Sequence, residues 1–183
     1  MICRNPKTLY VDGKEQPIDY DAFAVLDILM AMKDPDLSPQ EKNAVTLSIL
    51  YPDFEKIKDI PEALKKAMWF IDVGQDFSEA KNKPTLMDWE QDFNIIAPAV
   101  NEVLGYDVCD TPQVHWWTFV RAYMQIFQRE NSLFGTVVTI REKKKKHKKL
   151  ESYEREFYKE NKEIIELKKT FSAEEKAFLD SLT

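Results

Sequence analysis

The residues best suited to chemistry surround one histidine. His115 directly precedes Trp116 and Trp117 at the start of an apolar helical stripe, and Cys109 lies six residues before it. A metal site or an acid–base site needs a convergent set of such side chains, and one histidine with one cysteine is not such a set. A histidine that orients the helix needs only one hydrogen bond. We therefore expect a structural His115 and a protein that is not an enzyme, with no catalytic residue, metal ligand or cofactor.

Three acidic residues form a second candidate site. Asp88 and Asp92 would share one face of a helix, with Glu90 between them, and two neighbouring carboxylates can hold a divalent cation. Acidic residues are also favoured in the first turn of a helix by capping and by the helix dipole. Because no partner set with metal-loop spacing accompanies them, the spacing favours capping.

The composition excludes several classes of protein. Four glycines in 183 residues leave no glycine-rich phosphate-binding loop, and two cysteines form no disulfide framework. No stretch approaches the roughly 20 apolar residues of a membrane-spanning helix. We expect a cytoplasmic protein with reduced thiols that does not bind membranes.

A strongly basic run interrupts a chain whose formal net charge is −6. Residues 143–149 contain six lysines and one histidine. The run is compatible with a solvated helix face, a hinge or a phosphate-binding patch. No aromatic residue for base stacking lies inside it, so a solvated face or hinge is favoured over nucleic-acid binding.

The amino-terminal residues predict a β-hairpin. Leu9 and Val11 alternate with polar or amphipathic neighbours, and Asp12-Gly13 suits a tight two-residue turn. The return strand covers residues 14–18 and carries Pro17, which suits an edge position.

Helical patterns cover most of the remaining chain. Ala22, Val25, Leu26, Leu29 and Met30 follow one buried helical face, and Ser38 with Glu41 predicts a capping box at the next helix. Helices are also expected after Pro61, ending near Gly74, and after Asp88, ending at Gly105. The interior Pro98 predicts a kink or two consecutive pieces. Thr111-Pro112 would open the central core helix, and residues 132–140 remain ambiguous between strand and helix.

The carboxyl-terminal residues have a different character. Apolar side chains recur at alternating spacings of three and four, which is a heptad seam with one polar interruption: Leu150, Tyr153, Phe157, Glu160, Ile164, Leu167 and Phe171. Ser172 with Glu175 predicts a capping box before a last short helix. The fold class is therefore mainly α: a helical core domain with a small amino-terminal hairpin over residues 1–141, and a long charged helix as an appendage over residues 142–183.

Two motifs carry a family resemblance. The first is His115-Trp116-Trp117, and the second is the acid-rich element Asp88-Trp89-Glu90-Gln91-Asp92. Together with Val11-Asp12-Gly13, Tyr51-Pro52-Asp53 and Ile140-Arg141, their order resembles the bacteriophage gene-product-fifteen family over most of residues 8–141. The lysine-rich, heptad-bearing carboxyl end departs from that pattern.

The resemblance implies a phage or prophage tail-module protein of the bacterial host cytoplasm. Such a protein would act as a tail-assembly chaperone or accessory protein that binds the tape-measure protein, the tail-tube protein or both. The alternatives are a structural virion component of the head–tail or tail region and a DNA-binding accessory that uses the lysine run. The sequence leaves self-association open.

Two regions are candidates for partner binding. Tryptophan is enriched at interface hot spots, and a heptad seam can pair with a partner helix. Intramolecular packing of the seam is the other interpretation, and it is somewhat favoured. The candidate residues are Trp116, Trp117, Leu150, Tyr153, Phe157, Ile164 and Leu167.

Overall fold

The computed structural model describes residues 4–75, 85–129, 132–168, 171–173, 175 and 177. These residues confirm the mainly α fold with an amino-terminal hairpin. None of the helices in the described ranges is long and apolar enough to cross a membrane. The elements are β1 (Thr8–Val11), β2 (Lys14–Pro17), α1 (Ala22–Lys33), α2 (Pro39–Leu50), a 3₁₀ turn (Phe54–Lys56), α3 (Ile60–Ile71), α4 (Trp89–Leu104), α5 (Trp116–Ile126), α6 (Leu133–Lys145), α7 (Ser152–Glu160) and α8 (Lys162–Ile165).

The chain divides into two compact units that interleave along the sequence. Unit 1 contains residues 1–77, 113–118 and 169–183, and unit 2 contains residues 78–112 and 119–168. The predicted boundary after residue 141 stays a prediction, although α6 itself continues through Lys145. Cys3, Pro84 and the last predicted helix around residues 178–182 lie outside the described residues.

The hairpin forms as its turn sequence predicts. Val11 pairs with Lys14 across Asp12 and Gly13, whose φ angles are 55° and 73°. Such positive angles are typical of the turn that best matches strand twist, and glycine adopts them without steric cost. Leu9 and Val11 point into the core, with 5 % and 0 % of their surfaces exposed.

The helices of unit 1 follow their predicted signals closely. Ser38 accepts a hydrogen bond from Glu41 N, while the Glu41 carboxylate accepts from Ser38 N, which is the predicted capping box. On α1 the buried face differs from the prediction. Ile28 is fully buried whereas Met30 is 39 % exposed, because the buried stripe turns toward Ala22, Val25 and Ile28.

Unit 2 corrects several predicted boundaries. Pro98 lies inside α4 without dividing it, and Gly105 ends that helix with a φ of 78°. The central helix α5 begins at Trp116 and not beside Pro112, since residues 114–116 first form an extended contact with residues 20–22 in unit 1. Residues 133–140 are helical, because Ser132 caps α6 by accepting from Gly135 N.

The predicted long carboxyl-terminal helix is wrong in the described residues, which form two short helices. α7 ends at Glu160. Its cap residue Asn161 has a φ of −121°, outside the helical region, and the Asn161 side-chain amide donates to Phe157 O. The break lets Ile165 of α8 enter a buried cluster with Val137 and Ile140. Farther on, Ser172 and Glu175 exchange the two hydrogen bonds of the predicted capping box.

Candidate partner-binding surfaces

The paired tryptophans of unit 1 complete the carboxyl end of α3. The last carbonyls of a helix lack donors from the helix itself. Trp116 Nε1 donates to Ile71 O at 2.8 Å, and Trp117 Nε1 donates to Phe70 O at 2.9 Å. Trp116 is 2 % exposed and Trp117 is half-buried. Trp117 is therefore better exposed than Trp116 for contact with a partner protein. Partner binding stays a prediction for both tryptophans.

Two hydrogen bonds join the His115 ring to other described residues. Its Nδ1 accepts from Trp117 N at 3.1 Å, so its Nε2 carries the proton and donates to Pro6 O at 2.8 Å. The ring also stacks on Tyr20, with 5.0 Å between the ring centroids. His115 thus fixes the start of α5 in unit 1, which is the structural role that the sequence favoured.

A groove of about 750 Å³ lies on the surface of unit 1. β1 forms one side of it and α3 forms the other. Two exposed aromatic rings lie along it: Tyr10 is 57 % exposed and Trp69 is 44 % exposed. The lining residues are Pro6, Thr8, Leu9, Tyr10, Asp59, Pro61, Glu62, Lys65, Lys66 and Trp69.

Unit 2 has a smaller groove, of about 420 Å³, between α4 and the start of α6. Ile126 and Phe134 lie at its floor and are fully buried. Apolar side chains form the walls, and an ion pair between Arg129 and Glu102, 2.7 Å apart, lies at the rim. The apolar wall residues are Ile95, Pro98, Ala99 and Leu133.

Large apolar side chains are exposed near this groove. Phe127 is 47 % exposed, Leu133 is 45 % exposed and Met124 is 37 % exposed. The Phe127 ring contacts that of Phe134, with 5.3 Å between their centroids. Sequence reasoning did not identify this cluster as a surface, because the stripe of α5 alone does not show which of its apolar residues remain uncovered.

The acidic candidate site of unit 2 is a buried ion pair. Arg141 Nη1 lies 2.6 Å from Asp92 Oδ2, and Arg141 Nη2 lies 2.8 Å from Asp92 Oδ1. Asp92 Oδ2 also accepts from Asp88 N, and Asp88 caps α4 by accepting from Gln91 N. The capping role of Asp88 is confirmed. Asp92 instead pairs with Arg141, which lies 49 positions away in the sequence. No local sequence pattern indicates such a long-range ion pair.

The residues of the predicted seam do not share one environment. Leu150 and Phe157 pack against the buried cluster of Val137, Ile140 and Ile165. Tyr153 is 65 % exposed and Ile164 is 36 % exposed, whereas Leu167 is half-buried. The packing of Leu150 and Phe157 agrees with the intramolecular interpretation, and binding of a partner through the remaining residues stays a prediction.

The first four lysines of the basic run contact acceptors within unit 2. Lys143 Nζ lies 2.7 Å from Glu154 Oε1, and Glu154 is only 1 % exposed. Lys144 binds Tyr158 and Glu166, Lys145 binds Thr85 O, and Lys146 binds Glu142. These contacts link α6 to α7 and α8, so this part of the run stabilises the fold.

Two observations on the described residues concern metal binding and thiol reactivity. The described residues contain no group of three or more His, Cys, Asp or Glu side chains that could hold a metal ion. Partial burial, together with the nearby Asp107 carboxylate, raises the pKa of the Cys109 thiol. A raised pKa disfavours the thiolate, which is the nucleophilic form.

The described residues form a mainly α-helical protein with a surface groove on each of its two units. The chain belongs to the family described as Bacteriophage Gp15 protein, which it matches over residues 5–167. It is therefore a bacteriophage-related protein. No curated protein and no solved structure matches it.

Proposed function

We propose that this chain is a tail-assembly chaperone or accessory protein that binds the tape-measure protein, the tail-tube protein or both, and that it catalyses no reaction. Membership of a bacteriophage family supports the phage context. The observation that supports the binding role is the apolar groove of unit 2, with Leu133 exposed on its wall and Phe127 exposed beside it.

This groove suits a helical partner. An amphipathic helix binds by placing residues at i, i+3, i+4 and i+7 into an apolar groove. Ile95, Pro98 and Leu133 of the groove walls are partly or largely exposed and offer apolar surface to such side chains, and Phe127 beside the groove would also lose exposed apolar area on binding. The acidic chain, with a sequence pI of about 5.1, would keep the complex soluble.

Co-expression with the neighbouring tape-measure product tests the proposal. We expect the soluble fraction of the tape-measure protein to rise and the two proteins to purify together. Phe127→Ser and Leu133→Ser should each reduce the co-purified amount, because Leu133 lines the groove and the exposed Phe127 ring lies beside it, in contact with the lining residue Phe134. Tyr106→Ser is the matched control, since Tyr106 is 41 % exposed but does not line the groove.

Two results would contradict the proposal. If the wild-type protein leaves the tape-measure product insoluble and is itself found in stoichiometric amounts in purified particles, it is a structural component. If Tyr106→Ser weakens co-purification as much as the two groove variants do, this groove is not the binding surface.

A further inference from the structure

The hairpin of unit 1 has one strand edge with free backbone groups. In a two-residue hairpin, residues alternate between pairs that exchange backbone hydrogen bonds and pairs that do not. Val11 pairs with Lys14 next to the turn, and Lys7 O accepts from Ile18 N at 3.2 Å. The backbones of Lys7, Leu9 and Val11 therefore face β2. Those of Thr8 and Tyr10 face outward, and no described backbone group pairs with them.

The two edges of the hairpin differ in their capacity to pair. On β2 the residue opposite Thr8 is Pro17, which has no backbone N–H. Proline at an edge prevents further strand pairing, and natural sheets use it for that purpose. β1 contains no proline, so both of its outward N–H groups remain available as donors. The sequence thus blocks the β2 edge and leaves the β1 edge open.

The open edge borders the large groove. The groove is lined by three residues of β1 and by residues of α3 and its amino-terminal end, and by none of β2. Its volume of about 750 Å³ lies within the range of roughly 300–1,000 Å³ that is typical of ligand pockets. The exposed rings of Tyr10 and Trp69 provide apolar surface for alternate side chains of an added strand.

Two carboxylates and two lysines line the groove, and the two lysines are the groups that would contact an acidic occupant. Asp59 accepts a hydrogen bond from Glu62 N, and Glu62 accepts one from Asp12 N, so both carboxylates are engaged within unit 1. Lys65 and Lys66 line the groove without an ion pair to another described residue. Their ammonium groups are therefore available to carboxylates of an incoming segment.

We propose that the groove between β1 and α3 binds an extended segment of a partner polypeptide, with alternating acidic and aliphatic residues, as a third strand on the β1 edge. Backbone hydrogen bonds to Thr8 and Tyr10 provide affinity, and the aromatic rings and Lys65 and Lys66 select the side chains. This mode goes beyond the proposed chaperone function, because it is independent of the unit 2 groove and of the partner's identity.

The probe is the capped peptide Ac-Glu-Val-Glu-Val-Glu-Val-NH₂, titrated into the ¹⁵N-labelled full chain. We expect saturable shifts of the Thr8 and Tyr10 amide resonances and slower hydrogen exchange at both amides. The charge-reversed peptide with lysine in place of glutamate should bind at least about tenfold more weakly. Absence of shifts at Thr8 and Tyr10 with the acidic peptide would overturn the proposal, and so would equal affinity for both peptides.

Three variants separate the backbone from the side chain. Tyr10→Pro removes one outward N–H and should weaken peptide binding about tenfold, as expected for the loss of one good hydrogen bond. Tyr10→Thr keeps that N–H and should retain backbone pairing, with shifts still seen at residues 8 and 10. Glu15→Pro makes the same change at the position opposite Tyr10 on β2 and should bind like the wild type. Equal loss of binding in Tyr10→Pro and Glu15→Pro, with both variants folded, would show that β1 is not the docking edge.

Discussion

Arg141 and Asp92 form a bidentate ion pair in unit 2, with side chains that are only 4 % and 1 % exposed. Each of the five N–H groups of the guanidinium has an acceptor. Two are the Asp92 oxygens, and three are the carbonyls of Leu86, Ile164 and Ile165. The pair therefore joins α4, α6 and α8 through one side chain. A buried charge is tolerated only when it is paired and hydrogen-bonded in this way.

Removal of either member of this pair should be strongly destabilising. Arg141→Met leaves the Asp92 carboxylate buried without its partner, so we expect the free energy of unfolding to fall by about 3–5 kcal/mol in urea titrations. The double variant Asp92→Leu with Arg141→Met should lose less than the sum of the single variants, since no unpaired charge remains. Arg129→Met is the control, because it breaks an exposed ion pair worth about 0–1 kcal/mol. If the double variant loses as much free energy of unfolding as the two single variants together, Asp92 and Arg141 are not energetically coupled.

The indole N–H groups of Trp116 and Trp117 should contribute unequally to the stability of the protein. Trp116→Phe removes the donor to Ile71 O, and we expect a loss of about 1–3 kcal/mol, as for a buried group left without a partner. Trp117→Phe should cost less, because Phe70 O also accepts from Val73 N at 3.1 Å. Trp69→Phe, at a residue that is 44 % exposed, controls for the change in ring size. If thermal unfolding shows a larger loss of stability for Trp117→Phe than for Trp116→Phe, the hydrogen bonds to the α3 carbonyls do not determine which tryptophan contributes more.

Local signals in the sequence predicted local structure well. The Asp12-Gly13 turn, the Ser38–Glu41 box and the Gly105 helix end depend on residues at most a few positions apart, so their patterns are visible in the chain. Long-range contacts were not predictable in this way. The Arg141–Asp92 pair spans 49 positions, and residues 114–116 become extended because they pair with residues 20–22.

The candidate surfaces show the same division. Aromatic and heptad patterns identified apolar residues, but they did not distinguish covered from exposed ones. Trp116 is almost fully buried, whereas Phe127 and Trp69, which were not candidates, remain exposed. The break at Asn161 also reorients the seam, because it brings Ile165 and not Ile164 into the cluster with Val137.

Acid should weaken the contact between α6 and α7. Burial disfavours the charged form of Glu154, but the hydrogen bonds from Lys143 and from Glu151 N outweigh it and lower the Glu154 pKa below its ordinary value of 4.5. A lowered pKa in the folded state stabilises the protein above pH 4.5, and this stabilisation is lost as the pH falls through the lowered value. Urea titrations from pH 7 to pH 3 should therefore show a steeper loss for the wild type than for Glu154→Gln.

The matched control for this measurement is Glu163→Gln, at an exposed glutamate of α8. It should keep the pH dependence of the wild type, and Lys143→Met should reduce that dependence because it removes the main hydrogen bond to Glu154. A parallel pH dependence in Glu154→Gln and the wild type would show that Glu154 is not responsible.

One buried amide of the hairpin should lower the stability of unit 1. Gln16 is 5 % exposed, and its Nε2 has no hydrogen-bond partner among the described residues. A buried donor without a partner costs about 1–3 kcal/mol. Gln16→Met keeps a similar side-chain shape and removes this donor, so we expect the free energy of unfolding to rise by about 1 kcal/mol. Gln40→Met, at an exposed position of α2, should change it by less than about 0.5 kcal/mol. A fall in stability for Gln16→Met alone would show that the amide is satisfied in solution, because the substitution would then remove a hydrogen bond and not an unpaired donor.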